Sequence, residues 1–385
     1  MSLFTRHPRS RWIVPGAAAV LVAGVAVGAN AATTARSSGS PDLPPTTAEQ
    51  LLVDLQQPTA QALQGTATVR ADLGLPSVPG LTDAGGVTGP GPAGAQGTPG
   101  TLSLLTGTHT VRVWTDGQDR SKVAVLADGS ESDVVRDGRD VWVWSGADRT
   151  AAHATLPASS GTAAEQKQKE RAAGLAGLTT PDAVARAALA AVDPTTSVTA
   201  DGTTRVAGHD AYELVVDPKT SDTLVDKVVL AVDSKTNVPL RVQVYSTKRT
   251  APVVQAGFTS VSYRTPAAST FEFTAPKGTT VEQLALPSAG GLPLAELGAD
   301  AQKPDVVGQG WDAVAIVTLT TEQRNALTSG EAAPLLRSLP TVSGDWGSGH
   351  VLTGTLFTAV LTDDGRVAVG AVPTSVVTAA LAQTT

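Results

Sequence analysis

Between about Gly65 and Phe273, apolar residues recur at every second position in short runs, as in Val111 and Val113, Val123 and Val125, Tyr212, Leu214 and Val216, and Leu240, Val242 and Val244. A period of two means strands with one buried face. The runs are separated by Asp116-Gly117, Asp128-Gly129, Asp137-Gly138, Asp217-Pro218 and Thr236-Asn237, pairs that turn a chain back on itself, so neighbouring strands are expected to pair as antiparallel hairpins. The pattern predicts about eleven strands, more than a twisted open sheet carries flat, so the sheet should curl. Val141-Trp142-Val143-Trp144 and Val228-Val229-Leu230-Ala231-Val232 are apolar on both faces and need cover on each side.

Ahead of this region, Arg6, Arg9 and Arg11 precede an apolar stretch from Ile13 to Ala29 that ends in Ala29-Asn30-Ala31, the layout of an export signal with a small-residue cleavage site. The stretch is built from Ala, Gly and Val and contains Pro15, and it is at or below the length of a membrane-spanning helix. Residues 1–31 therefore read as a signal peptide, or as an anchor if uncleaved, and the protein as extracytoplasmic: secreted, or tethered to the outer face of the cytoplasmic membrane. With 0 cysteines there is no site for a lipid anchor on cysteine and no disulfide framework, so the core alone must stabilise the chain. The net charge of −7, without a basic cluster beyond the signal, argues against a nucleic-acid partner and against tight docking to anionic headgroups. Membrane contact should be transient and apolar.

A Ser/Gly/Pro linker, residues 32–45, leads to the main domain, residues 46–285. Thr46-Thr47-Ala48-Glu49 reads as a capping box for a short helix with Leu51, Leu52 and Leu55 on its apolar side, interrupted at Pro58. Further helices are expected over 163–171 and 181–192, with Thr180 as cap, Pro181 at the first position and Pro194 as stop. The Gly/Pro-rich stretch from Leu73 to Thr106 is either a flap over a cavity mouth or an insertion without fixed structure. A second linker, 286–305, precedes a small C-terminal unit, 306–385. Trp311 to Val317 opens that unit, and Gly349 to Leu361 with Arg366 to Val372 read as a hairpin around Asp363-Asp364-Gly365. A helix follows at Pro373-Thr374. With two or three strands and two helices it is marginal as an independent domain and should pack on the larger one.

Catalytic signatures are absent: there is no phosphate loop, no H-E-x-x-H and no nucleophile elbow. The G-x-G-x-x-G match at Gly89, Gly91 and Gly94 contains Pro90 and Pro92 and lacks the strand and helix a dinucleotide needs. His109, His153, His209 and His350 lack metal-ligand spacing, and most carboxylates sit in turns that explain them. No enzyme activity, metal or cofactor is expected. Trp114, Trp142 and Trp144 could stack on a sugar, although tryptophans on strands more often serve the core.

The order of elements resembles a known group. A helix with Leu51-Leu52, a strand from Gly65 to Leu73, Val111-Arg112-Val113-Trp114, Asp137 to Trp144, a helix pair, Ala211 to Val216, Val238 to Val244 and Phe258 to Val261 are arranged as in the LolA-like lipoprotein-carrier superfamily. They are most similar to its actinobacterial members related to the sigma-factor regulator RseB (MucB), over about Thr46 to Val281. The segment from Leu361 to Val372 is similar to the tail of those proteins. The resemblance implies an incomplete, strongly curved β-barrel with helices across its mouth and a hydrophobic cavity for acyl chains. In carriers the cargo is a lipoprotein; in the regulators the cavity senses mislocalised lipid or protein and the protein contacts an anti-sigma factor. The 73–106 loop and the added C-terminal unit depart from a minimal carrier, and no family site transfers residue by residue.

The fold class expected is therefore α+β: a strongly curved antiparallel sheet with a few covering helices, plus a small α/β C-terminal unit. Two functions follow. One is an extracytoplasmic carrier or chaperone for acyl lipid or lipoprotein, its cavity drawn from Val111, Val113, Val123, Val125, Trp142, Trp144, Tyr212, Leu214, Leu230, Leu240, Val242 and Phe258. The other is an RseB-like envelope-stress regulator that binds an anti-sigma factor or another envelope protein through the C-terminal unit or a sheet edge. Burying a methylene is worth about 0.8 kcal/mol, so a long acyl chain left in water costs on the order of 10 kcal/mol, and a carrier must supply a dry apolar surface in its place.

Overall fold

The computed structural model describes residues 40–56, 62–74, 106–117, 119–127, 130–156, 195–283, 304–329 and 333–384. The signal, the helices expected over 163–171 and 181–192, nearly all of the 73–106 loop, the Asp128-Gly129 turn and most of the second linker lie outside the described residues.

Helix α1 (Ala48–Gln56) starts one residue later than the capping-box reading. Thr47, not Thr46, is the cap: its carbonyl accepts from Leu51 N at 3.1 Å and its Oγ1 from Gln50 N at 3.2 Å, so one hydroxyl satisfies a donor that the first turn leaves free. Eleven strands follow among the described residues, the number the alternation predicts: β1 (Leu63–Asp72), β2 (Thr106–Thr115), β3 (Arg120–Ala127), β4 (Ser130–Asp137), β5 (Asp140–Ser145), β6 (Thr150–Thr155), β7 (Thr196–Val206), β8 (His209–Pro218), β9 (Val225–Asp233), β10 (Pro239–Ser246) and β11 (Val254–Ser262). A short β12 (Thr280–Gln283) adds a twelfth in parallel to β6.

The order is β12-β6-β5-β4-β3-β2-β1-β11-β10-β9-β8-β7. Two antiparallel meanders, β2 to β6 and β7 to β11, are joined by β1, which bonds β2 along one edge and β11 along the other. The sheet curves without closing, as expected. Its turns use the chemistry the sequence advertises. Asp116 accepts from the backbone and the guanidinium of Arg120 at 3.0 and 2.7 Å. Asn237 holds φ +57°, a conformation that asparagine tolerates well. The β7–β8 hairpin turns on Ala207 and Gly208 at φ +51° and +84°, a primed turn that an Ala-Gly pair does not announce.

The C-terminal region corrects the expected strand count. Among the described residues it has six strands: β13 (Asp305–Val307), β14 (Val314–Thr318), β15 (Thr341–Gly344), β16 (Gly347–Thr353), β17 (Thr358–Thr362) and β18 (Arg366–Gly370), with helices α2 (Thr321–Ser329), α3 (Ala333–Ser338) and α4 (Thr374–Ala382). The stretch from Gly349 to Leu361 is two strands, because residues 354–357 form a turn in which Gly354 N donates to Phe357 O at 2.9 Å. Helix α4 lays Val377, Ala380 and Leu381 on Val314, Ile316, Val360 and Ala368.

This unit packs on the large sheet, as its size requires. Thr355 N donates to Leu73 O and Leu224 N to Ala371 O, each at 2.7 Å. Ser246 Oγ donates to Thr355 O at 2.6 Å, and Trp311 Nε1 to Thr196 Oγ1 at 2.8 Å. Trp311, Leu356 and Ala371 belong to the large sheet's own core cluster. The turn is tight: a Cβ on Gly354 would sit 2.3 Å from the Phe357 ring and 2.8 Å from Leu73 O. Gly354→Ala is therefore expected to destabilise the protein by about 1–3 kcal/mol, read as a lower denaturant midpoint with the fold retained below it.

Candidate functional site

Register decides which side chains share a face. Val69, Ala256, Val242, Leu230, Leu214 and Ala200 stand opposite one another across β1, β11, β10, β9, β8 and β7. Ala71, Val254, Val244, Val228, Val216 and Val198 form the next row on the same side. On the other side of β1 the same face continues as Gly65, Val113, Val123, Val134, Val143 and Ala152. An apolar surface thus crosses almost the whole sheet. Phe258 lies at its centre: a Cβ on Gly65 would stand 2.9 Å from the Phe258 ring and 2.6 Å from Ser260 O, so only glycine lets β1 and β11 meet there with the ring in place.

The cover on this face is uneven. Helix α1 packs Leu51 and Leu55 into it, and the segment before the helix is tied to β7 and β8, with Thr203 Oγ1 donating to Pro41 O at 2.8 Å and Tyr212 OH to Pro44 O at 2.9 Å. Beneath, Leu214, Leu230 and Leu240 are fully buried. Toward β6 the surface opens: Val125 and Val143 are half-buried and Val134 is 36% exposed.

Of the residues expected to line a cavity, Val111, Val113, Val123, Val125, Tyr212, Leu214, Leu230, Leu240, Val242 and Phe258 lie on this face. Trp142 and Trp144 lie on the opposite one, because they pair with Val135 and Asp133. Trp142 stacks on His153 at 4.2 Å and meets Phe273 at 5.0 Å, and the segment carrying Phe273 also buries Phe271 under the Arg120 guanidinium at 5.5 Å. Val134, Val143 and Ala152 are the face residues that sequence reading missed. Val134-Val135 and Val141-Val143 alternate with no polar partner, so nothing in the sequence says which member faces which way.

Opposite the apolar face, β7 to β11 carry polar ladders. Glu213 and Arg241 flank Ala231 across three strands and close over it in a 2.9 Å ion pair, the second cover that the apolar run Val228–Val232 of β9 requires. Asp233, almost fully buried, accepts from Lys235 N, Thr236 N and Tyr263 OH at 2.8, 3.0 and 2.8 Å, and His209 Nδ1 stands 3.0 Å away. Burial pushes the Tyr263 hydroxyl well above the ordinary phenol value, which keeps it a donor to Asp233. These contacts fix the β9–β10 turn. Among the described residues no group of three or more His, Asp or Glu side chains converges to hold a metal.

Beside Trp144, Asp133 binds Lys122 at 2.8 Å. Two residues along β4, burial first and then Asp133 hold the Glu131 carboxyl above its ordinary value of 4.5. A carboxyl with a raised folded-state pKa favours the folded protein below the ordinary value, and that contribution is lost as pH rises through the folded-state value. Glu131→Gln should accordingly leave the protein at least as stable as the parent at pH 7, and should flatten the fall in melting temperature from about pH 4.5 upward. Asp233→Ala, which strands Tyr263 and two turn amides, should cost about 2–4 kcal/mol in urea unfolding.

The large sheet is thus open and curved, with one continuous apolar face that a helix covers from one end. Residues 103–283 match the family model described as the MucB/RseB N-terminal domain. Among solved structures it is similar to Pseudomonas aeruginosa MucB from the MucA/MucB complex, at 17% identity and TM-score 0.41, covering 87% of this chain and 96% of that one. It is also similar to a LolA superfamily protein from Nitrosomonas europaea, at 14% identity and TM-score 0.21, covering 60% of this chain and 99% of that one. A third likeness is to the lipoprotein LppX of Mycobacterium tuberculosis, at 12% identity and TM-score 0.27, covering 55% and 93%. No curated protein matches the chain. Among the described residues no helix is long and apolar enough to cross a membrane.

Proposed function

We propose that this protein is a non-catalytic, extracytoplasmic binder of acyl lipid or lipoprotein that seats an acyl chain against the β3–β6 end of the apolar face. The observation that supports this most is the unbroken row Val113–Val123–Val134–Val143–Ala152, which runs from the closed core out to a partly exposed valine. Polar rows dominate the other face of β7 to β11, and no charged side chain interrupts the apolar row before Glu282 of β12, which stands opposite Ala152. A chain lying along it exchanges water for methyl groups at about 0.8 kcal/mol per methylene. The deeply buried members, Leu214, Leu230 and Leu240, supply the rigid floor, while Val125, Val134 and Val143 are the contact residues.

Val134→Glu tests this at a position that is already partly exposed, so folding should persist. Equilibrium binding of a fluorescent long-chain fatty acid is expected to weaken at least tenfold, with melting temperature within a few degrees of the parent. Unchanged binding would remove the β3–β6 end from the site.

A second reading, an envelope-stress regulator binding an anti-sigma factor or another envelope protein, is favoured by the C-terminal sheet. On the side away from α4, Val306, Ala315, Val369, Ala359 and Leu352 pair in register, an apolar row whose end residue Val306 is 44% exposed. Among the related solved structures is one of MucB in complex with periplasmic MucA. Co-purification of one stoichiometric protein from membranes, lost in Val369→Glu, would support this reading.

A further inference from the structure

Strand β12 stands apart from its sheet. It pairs in parallel where the other described neighbours are antiparallel, with Thr280, Val281, Glu282 and Gln283 opposite Thr150, Ala151, Ala152 and His153. All four of its residues are exposed, Val281 at 45%. Its side chains therefore bury little apolar surface. What holds it is a short main-chain ladder, Thr280 N donating to Arg149 O at 2.9 Å, and a contact of 3.2 Å between Gln283 Oε1 and His153 Nδ1 at the surface. Parallel pairing is also slightly weaker per residue than antiparallel. The chain just before it is anchored differently: Phe271 is buried and Phe273 lies on Trp142, so β12 can leave while that anchor stays.

The edge that β12 covers is larger than β12. Strand β6 runs over Thr150–Thr155, and β12 spans only the first four of those residues. Strand β6 is also rich in alanine. Ala151 lies between Val281 on one side and Trp144 on the other, so a large side chain at the position of Val281 reaches across a methyl group to the indole.

We propose that β12 is a displaceable placeholder on β6, and that the freed edge captures, in the same parallel register, an extended peptide segment of a protein partner carrying a large apolar residue at the position of Val281. Such strand addition takes its affinity from main-chain hydrogen bonds and its selectivity from alternate side chains. The site lies at the opposite end of the sheet from α1, and it does not depend on acyl-chain binding.

Two measurements test it. In native-state hydrogen exchange of the full chain, β12 amides should exchange through local opening, with protection at least a hundredfold below that of β1. Exchange of β12 only together with β1 would overturn the proposal. The second probe is a fluorescein-labelled hexapeptide with the sequence of residues 279–284 carrying Val281→Phe. Anisotropy should show at least tenfold tighter binding to the Thr280→Pro protein, which lacks the amide that Thr280 donates to Arg149 O, than to the parent, with fatty-acid binding the same in both. Equal binding to both, or binding to neither, would overturn it.

Discussion

The double pairing of β1 is the constraint on which the rest of the structure depends. Ten residues on this strand bond β2 along one edge, and β11 bonds the other. Without β1 the chain has two separate meanders, each with an apolar side and an open edge. With it, the apolar sides become one surface, because a period of two carries the same face across every paired strand. The junction is demanding at Gly65, where the Phe258 ring occupies the space that any other side chain would need. A register shift between Thr66 and Ala67 against β11 adds the local twist that bulges bring, at the place where the two meanders meet.

The C-terminal sheet reinforces that junction at its ends. The turn at residues 354–357 holds the last turn of chain after β1, through Leu73, and the end of β10, through Ser246. Trp311 reaches the beginning of β7. The β7–β11 meander and the strand that joins it to the other are therefore gripped by the same small unit, and its residues complete the large sheet's core. A unit of this size gains from the arrangement as well, since alone it has little core to offer.

Much of the architecture was legible because period-two alternation and turn pairs are local signals. The strands from β1 to β11, their hairpin pairing and the open curvature all follow from such patterns. Three features were not legible, each for a physical reason. The Ala207-Gly208 turn uses a residue that rarely adopts positive φ. The turn at Gly354 hides inside a run of β-forming residues, so two strands read as one. The facing of Trp142 and Trp144 depends on register against β4, and a strand that is apolar on both sides carries no local mark of its orientation. Because of that ambiguity the residues expected to line a cavity fall on both faces of the sheet, and Val134 and Val143 stand where the apolar row comes to the surface.

An acyl chain held on the apolar face should survive purification with the protein. Native mass spectrometry of the full chain recovered from an exporting host, followed by organic extraction, addresses it most directly. The expected result is a bound mass that leaves with the organic phase as acyl lipid, at close to one per protein. A folded chain that carries no added mass, and that takes up none when long-chain lipid is supplied, would contradict it.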